Sequence, residues 1–333
     1  MKLLIIGGTG FLGRHLTSLA LDWGHEVTLF NRGHRQHPDW RELTQLQGDR
    51  DQSLDPLLEE GLYWDLAIDT CCYGPAQAAS LSAALLGRCE RLIFISTISV
   101  YRDFARPEMD ESAPLHEVAL GESASDYGPL KVLCEAEYLA RWGERLCILR
   151  PGVLCGPFDP TGRLAWWVQR VQQGGSWLLP GEGQDRLQYL DVRDCAEFVL
   201  RAAEQRLEGC FNLVKPGILL VDWVERLAAR LIPASLLQPE WTPWPALIAA
   251  GVEPWQSYPT LLPNTQAEFA GYAGYGSISA EAAIVHGLNF RPLEETVADL
   301  VAWLASNEQT PLAGMTLAEE AALRQRVREL SPS

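Results

Sequence analysis

The chain has no apolar run approaching the ~18 residues that a membrane-spanning helix requires, and no basic start followed by an apolar stretch and a cleavage site. Neither a membrane span nor a secretory signal is expected, and the protein is read as cytoplasmic. Positive charge is also short: 43 acidic residues against 27 basic ones leave a net charge of −16. That balance opposes non-specific attraction to phosphate backbones and anionic membranes, so nucleic acid is not an expected partner. The eight cysteines, at 71, 72, 89, 134, 147, 155, 195 and 210, make no C-x-x-C pair and no cluster with histidine. No metal site is expected, and buried free thiols in a reducing compartment are the better reading. Internal repeats and low-complexity tracts are absent.

What remains is a globular chain of 333 residues, 47% apolar, long enough for one large domain and a smaller one. Leu3 to Ile6 form a short unbroken apolar run, as expected for an inner strand of a parallel sheet. Gly7, Gly8, Gly10 and Gly13 follow at once and fit both G-x-G-x-x-G and G-x-x-G-x-x-G. Leu12, Leu16, Leu19 and Ala20 then recur at helical spacing, Gly24 ends the helix, and Glu26 to Phe30 read as a second strand. A glycine turn in that setting lets a pyrophosphate approach the amides at a helix N-terminus. The expected contacts from this turn are Gly7, Thr9, Gly10, Phe11, Leu12 and Gly13.

Further strand candidates lie at Leu43 to Leu46, Leu66 to Ile68, Leu92 to Ile95 and Leu146 to Leu149. Helix-like stretches at Gln77 to Leu86 and Lys131 to Trp142 separate them. This alternation predicts an α/β chain, a Rossmann doubly wound parallel sheet with a smaller, interleaved C-terminal α/β substrate domain. The dinucleotide domain is expected over 1–155 with returning segments near 187–215, and the substrate domain over about 156–186 and 216–310. The charged end, 311–333, reads as a peripheral helix or tail. Residues 102–125 and 237–276 resist assignment, the latter holding Trp241, Trp244 and Trp255. Long irregular stretches are often lids or binding loops, although surface packing accounts equally well for any single tryptophan.

At the end of the second strand, an acidic residue would accept from ribose hydroxyls and repel a 2′-phosphate. Asn31 stands there instead, followed by Arg32 and Arg35. An amide and two guanidinium groups favour NADP(H) over NAD(H), because arginine holds phosphate through paired, charge-assisted hydrogen bonds. Asp49 and Arg50 follow the short strand at Leu43 to Leu46, with Asp49 a candidate acceptor for the adenine amino group.

Tyr127 and Lys131 place a phenol and an amine four residues apart at a helix start, with Pro129 in its first turn. An ammonium beside a phenol favours the phenolate and draws its pKa down from the ordinary ~10. Ser96, Thr97 and Ser99 lie just past the carboxyl end of the strand ending at Ile95, where a hydroxyl can hold a carbonyl or alcohol oxygen.

Gly7-Gly-Thr-Gly-Phe-Leu-Gly13, Ile95-Ser-Thr-Ile-Ser-Val-Tyr101, Tyr127-Gly-Pro-Leu-Lys131 and Leu149-Arg-Pro-Gly-Val153 occur in the order and approximate spacing of the short-chain dehydrogenase/reductase superfamily. The chain resembles its extended branch of NAD(P)-dependent epimerases, dehydratases and reductases over about 290 residues, strongly to residue 155. The resemblance implies Tyr127 as acid/base, Lys131 as holder of the nicotinamide ribose and Thr97 as the catalytic hydroxyl. It also implies Pro151, Gly152 and Val153 beside the nicotinamide, with Thr70 and Cys71 near the pyrophosphate. Leu29-Phe-Asn-Arg-Gly33 and Gly287-Leu-Asn-Phe-Arg-Pro-Leu-Glu-Glu-Thr296 resemble a bacterial and plastid subgroup that includes chloroplast stem-loop-binding proteins, which argues against a nucleotide-sugar substrate. Arg163 and Arg193 are candidate anion holders, Arg163 and Ser99 candidate substrate contacts. Both arginines have a structural alternative, Arg193 especially, since Asp191 reads as the cap of a helix start.

The expected function is an NADP(H)-dependent oxidoreductase acting on a carbonyl or alcohol of a small molecule, as a monomer or homodimer. Two alternatives stand beside it: an epimerase or dehydratase on a sugar or sugar nucleotide, and a non-catalytic NADP-binding regulator or RNA-associated protein on the same fold.

Overall fold

The computed structural model describes residues 1–34, 40, 43–118, 126–307 and 312–330. Arg35, expected at the cofactor, lies outside the described residues. Along the chain come β1 (Lys2–Ile6), α1 (Phe11–Asp22), β2 (Glu26–Asn31), β3 (Thr44–Gln47), β4 (Trp64–Asp69), α2 (Pro75–Leu85), β5 (Cys89–Ile95), α3 (Tyr127–Trp142) and β6 (Leu146–Pro151). Then follow β7 (Val153–Cys155), α4 (Arg163–Gln173), β8 (Gly175–Pro180), β9 (Arg186–Leu187), β10 (Tyr189–Asp191), α5 (Val192–Glu204) and β11 (Gly209–Leu213). The remainder is β12 (Ile218–Leu219), α6 (Leu220–Leu231), β13 (Leu237–Thr242), α7 (Trp244–Ala249), α8 (Glu281–Val285), α9 (Leu293–Ala305) and α10 (Leu317–Leu330).

Seven parallel strands form one sheet in the order β11-β6-β5-β4-β1-β2-β3, the doubly wound arrangement expected. Alternation along β1 explains why it is apolar throughout: Leu3 and Ile5 join the core under α1 and α5, while Leu4 and Ile6 join the core under α2 and α3. The order reverses at β1, between β2 and β4. Ligands of such sheets bind at that switch point, beyond the carboxyl ends of the strands.

A second core gathers Trp166, Trp167, Trp177, Trp223 and Trp244, all buried, between α4, β8, α6 and α7. Tyr189 stacks on Trp223 at 4.9 Å, and Trp167 donates to the Pro259 carbonyl at 3.0 Å. Burying ~200 Å² of aromatic surface at ~25 cal/mol per Å² contributes about 5 kcal/mol gross. These five tryptophans are therefore packing residues. α10 docks on this core through Leu323 and Glu320; the buried Glu320 carboxylate receives Arg170 at 2.6 Å and the Leu178 N–H at 3.1 Å.

The first segment that resisted assignment pairs with the end of the second and with the residues just after it. Phe104 N–H donates to Gly271 O (3.1 Å), Gly274 N–H to Phe104 O (2.6 Å), Glu108 N–H to Ser277 O (2.9 Å) and Ser279 N–H to Met109 O (2.9 Å). A Cβ on Gly274 would stand 1.9 Å from the Arg106 carbonyl oxygen, so glycine is required for that approach. The Gly287 to Thr296 motif is likewise structural. Arg291 pairs with Asp191 (3.2 Å) and Asp194 (3.0 Å), and the Thr296 hydroxyl donates to Asp191 at 2.7 Å. Among the described residues no helix is long and apolar enough to cross a membrane, and no group of His, Cys, Asp and Glu could hold a metal ion.

Candidate functional site

β1 runs into a turn in which Gly10 N–H donates to Gly7 O at 3.0 Å and Gly10 caps α1. Two of the glycines are sterically obligatory. Gly7 has φ 83°, and a Cβ there would lie 2.5 Å from Thr70 Oγ1; a Cβ on Gly13 would lie 2.2 Å from Gly7 O. Thr70 itself is tied back, donating its hydroxyl to Ile6 O at 2.8 Å. Leu12 is buried in the core and Phe11 packs edge-on against His15 at 6.0 Å, so backbone N–H is what these two residues can offer a ligand.

A cavity of about 340 Å³ opens beside this turn. Its walls include Gly7, Thr9 and Gly10 after β1, Asn31 at the end of β2 with Arg32 and His34 beyond it, Asp49 and Arg50 after β3, and Cys71 and Tyr73 after β4. The Asn31 amide oxygen accepts Gly33 N–H at 2.7 Å, while its buried Nδ2 has no partner among the described residues. A buried amide donor without an acceptor costs roughly 1–3 kcal/mol, which a ligand oxygen would recover.

Arg50 forks onto the Asp69 carboxylate, with N···O distances of 2.8 and 3.1 Å. Tyr138 adds a 2.5 Å hydrogen bond to the same carboxylate and Cys71 N–H another at 3.1 Å. Burial alone would push the Asp69 carboxyl up; the Arg50 charge and these donors hold it below the ordinary range. Arg50 thus lines the cavity with its charge committed to Asp69. The network was missed in the sequence because its members are far apart in the chain. Asp69 at the end of an apolar strand was the one available signal, since a buried carboxylate needs a partner.

Past β5, Thr97 caps a single 3-10 turn, Ile98–Val100; its Oγ1 accepts Ser99 N–H at 3.1 Å and lies 3.2 Å from Ser99 Oγ. Ser96 is otherwise engaged, donating to buried Glu135 at 2.5 Å. Tyr127 opens α3 and stays 49% exposed. One turn on, Lys131 is buried, with Nζ donating to Ile95 O at 2.7 Å and Cys72 O at 3.0 Å. Gly128 lets α3 start this close to the 3-10 turn, because a Cβ there would meet Ser99 O at 2.2 Å.

One expectation is corrected here. Lys131 was expected to draw the Tyr127 phenol down. Partial burial instead raises it, and a hydrogen bond with Thr97 works in the lowering direction. The reason is geometric: Lys131 directs two of its three donors at backbone carbonyls, and burial lowers its own pKa. Tyr73 was not anticipated. It is half-exposed, its ring lies 6.5 Å from that of Tyr127, and Lys131 Nζ sits 5.6 Å from its centroid. An aromatic side chain just beyond the end of β4 was the signal.

Pro151 and Val153 are buried; Gly152, between them, donates its N–H to Leu213 O at 3.0 Å and could not carry a Cβ, which would meet Val214 at 2.8 Å. Arg193 is structural: it pairs with Asp191 (2.7 Å) and Asp299 (2.5 Å), and Asp191 caps α5 by accepting Arg193 N–H at 2.8 Å. Arg163 lies 5.6 Å over the ring of Trp255. A second cavity, about 1010 Å³ around Glu108, Arg186 and Glu281, is lined by none of Thr97, Tyr127 or Lys131, so it is set aside as a reaction site.

A glycine turn at the switch point of a doubly wound sheet, with a hydroxyl, phenol and lysine past the neighbouring strand, defines an NAD(P)-binding chain of the short-chain type. The profile of the NAD dependent epimerase/dehydratase family matches residues 3–62 and 76–213, and the chain belongs to that family of enzymes. It is 29% identical over 224 residues to a 2-alkyl-3-oxoalkanoate reductase of Stenotrophomonas maltophilia, covering 60% of this chain and 64% of that protein. It is 26% identical over 247 residues to the chloroplast stem-loop binding protein of 41 kDa b of Arabidopsis thaliana, covering 69% of this chain and 62% of that protein. The chain thus spans under two-thirds of the length of either relative. Among solved structures, a UDP-N-acetylglucosamine 4-epimerase from Methanobrevibacter ruminantium superposes with a TM-score of 0.68 at 16% identity, over 92% of this chain and 98% of that one.

Proposed function

We propose that the chain is an NADP(H)-dependent reductase of a small carbonyl compound. The observation that carries this reading is the Tyr127 phenol, half-exposed beside Thr97, with Lys131 buried one turn below. The residues present fit a dinucleotide: Gly7 and Gly13 shape a cradle that side chains would fill, and Asn31 Nδ2 is a buried donor awaiting an acceptor. Gly7, Thr9, Gly10 and the backbone of Phe11 to Gly13 would hold the pyrophosphate, Asn31 and Arg32 the 2′-phosphate, and Asp49 the adenine. The third N–H of Lys131 would serve the nicotinamide ribose, bordered by Pro151 to Val153.

A bound nicotinamide supplies the hydride. Thr97 holds the carbonyl oxygen and Tyr127 donates the proton to it. A phenol is protonated at neutral pH, the form that gives a proton to a carbonyl undergoing reduction, and burial raises this one above its ordinary value of ~10. The name of the Stenotrophomonas relative is that of a ketone reductase, which agrees with this direction. The test is spectroscopic. Protein mixed with NADPH and a panel of aldehydes, ketones and oxo acids should cause net loss of absorbance near ~340 nm with at least one of them. Cofactor retained through purification, with no net absorbance change for any compound, would instead indicate an epimerase or dehydratase that regenerates its cofactor.

A further inference from the structure

We infer that Arg163 recognises an anion on the substrate, and that the substrate is an oxo carboxylate whose carboxylate docks on this guanidinium while its carbonyl faces Tyr127. The position of the carbonyl rests on the reductase reading above.

Arg163 is the first residue of α4, following Gly162 in the left-handed conformation. Its guanidinium lies 5.6 Å over the Trp255 ring, which is itself wedged edge-on against Tyr275 at 5.6 Å, and Tyr275 against Phe104 at 5.5 Å. This aromatic shelf fixes one face of the guanidinium plane. A stacked guanidinium keeps its N–H edge free, and that edge matches the two oxygens of a carboxylate. The edge is uncommitted: among the described residues no carboxylate lies within ion-pair distance of Arg163, and its side chain makes no hydrogen bond.

The neighbouring arginines differ in this respect. Arg50 is held by Asp69, Arg150 by Glu135, Arg170 by Glu320 and Arg193 by Asp191. Arg163 is half-buried; its acidic neighbour is Asp159, which accepts its backbone N–H and feels its charge without an ion pair within 4.0 Å among the described residues. The positive end of α4 adds to its field. Burial raises the phenols of both Tyr127 and Tyr275, and the Arg163 charge acts on each in the opposing, lowering direction. One guanidinium balances the single charge of a carboxylate.

The other source of an anion here is the cofactor pyrophosphate, and the experiment separates the two. Short- and medium-chain 3-hydroxy carboxylates and their ethyl esters are titrated calorimetrically into protein saturated with NADPH, a combination that cannot react. NADPH affinity is measured separately. The wild type should bind at least one acid about tenfold or more tighter than its ester. Arg163→Gln should bring acid and ester level, Arg163→Lys should restore part of the preference, and NADPH affinity should hold in both variants. Failure of every acid to outbind its ester overturns the inference. So does a loss of NADPH affinity in Arg163→Gln, which would give the guanidinium to the pyrophosphate. Failure of the reductase reading shows separately, as absence of NADPH oxidation with all carbonyl compounds while the acid preference remains.

Discussion

The Cα of Gly128 faces the carbonyl oxygen of Ser99 so closely that a Cβ would stand 2.2 Å from it, and 3.1 Å from His116 Nε2. A backbone carbonyl cannot yield as a flexible side chain can, so Gly128→Ala should push the start of α3 outward and part Tyr127 from Thr97. Misplacement by about 1 Å costs on the order of 10²-fold in turnover. Steady-state kinetics should show that fall in kcat with NADPH affinity little changed. Gly74→Ala, with nothing within 4 Å of its Cβ, is the control and should retain activity.

Asn31, whose amide Nδ2 is unpartnered among the described residues, and Arg32 beside it make cofactor choice testable. Asn31→Asp exchanges a donor for an acceptor of the wrong charge, and Arg32→Ala removes a guanidinium. Each should weaken NADPH by about tenfold or more while NADH loses far less. Fluorescence titration with both cofactors reads this directly; equal losses for the two would remove the 2′-phosphate role.

Asp194 gives a pH signature in stability. Burial lifts its carboxyl to about 6, against the N–H and charge of Arg291. The folded chain therefore holds a proton between the unfolded value of about 4 and this higher one, so this group's contribution to stability is lost as pH rises through that window and is level above it. Asp194→Asn should remove that slope, a change on the order of 1–3 kcal/mol across the window. Urea midpoints of wild type and variant from pH 4 to 7 provide the difference curve; parallel curves would contradict the assignment.

Much of the sheet was legible because strands buried on both faces are apolar without interruption. Glu26 to Phe30 was expected and Glu26–Asn31 is found; Leu66 to Ile68 was expected and Trp64–Asp69 is found. The ends were missed where Asp65 and Asp69 break the apolar run, because ladder hydrogen bonds continue past it. The cofactor turn and the Tyr127/Lys131 pair were legible because their residues are neighbours in sequence. Asp69 with Arg50 and Tyr138, and Tyr73 beside Tyr127, were not, since only the folded sheet brings them together. The pairing of Phe104 to Met109 with Gly271 to Ser279 was hidden for the same reason, as irregular backbone has no period to read.

Substitution of the Tyr127 hydroxyl tests the central claim most directly. Tyr127→Phe keeps the ring, the start of α3 and the contact with Tyr73, and removes the group proposed to donate the proton. Turnover with a reducible carbonyl compound should fall by about 10²–10⁴-fold while NADPH affinity stays near that of the wild type. Turnover close to the wild-type rate in the variant would contradict the account.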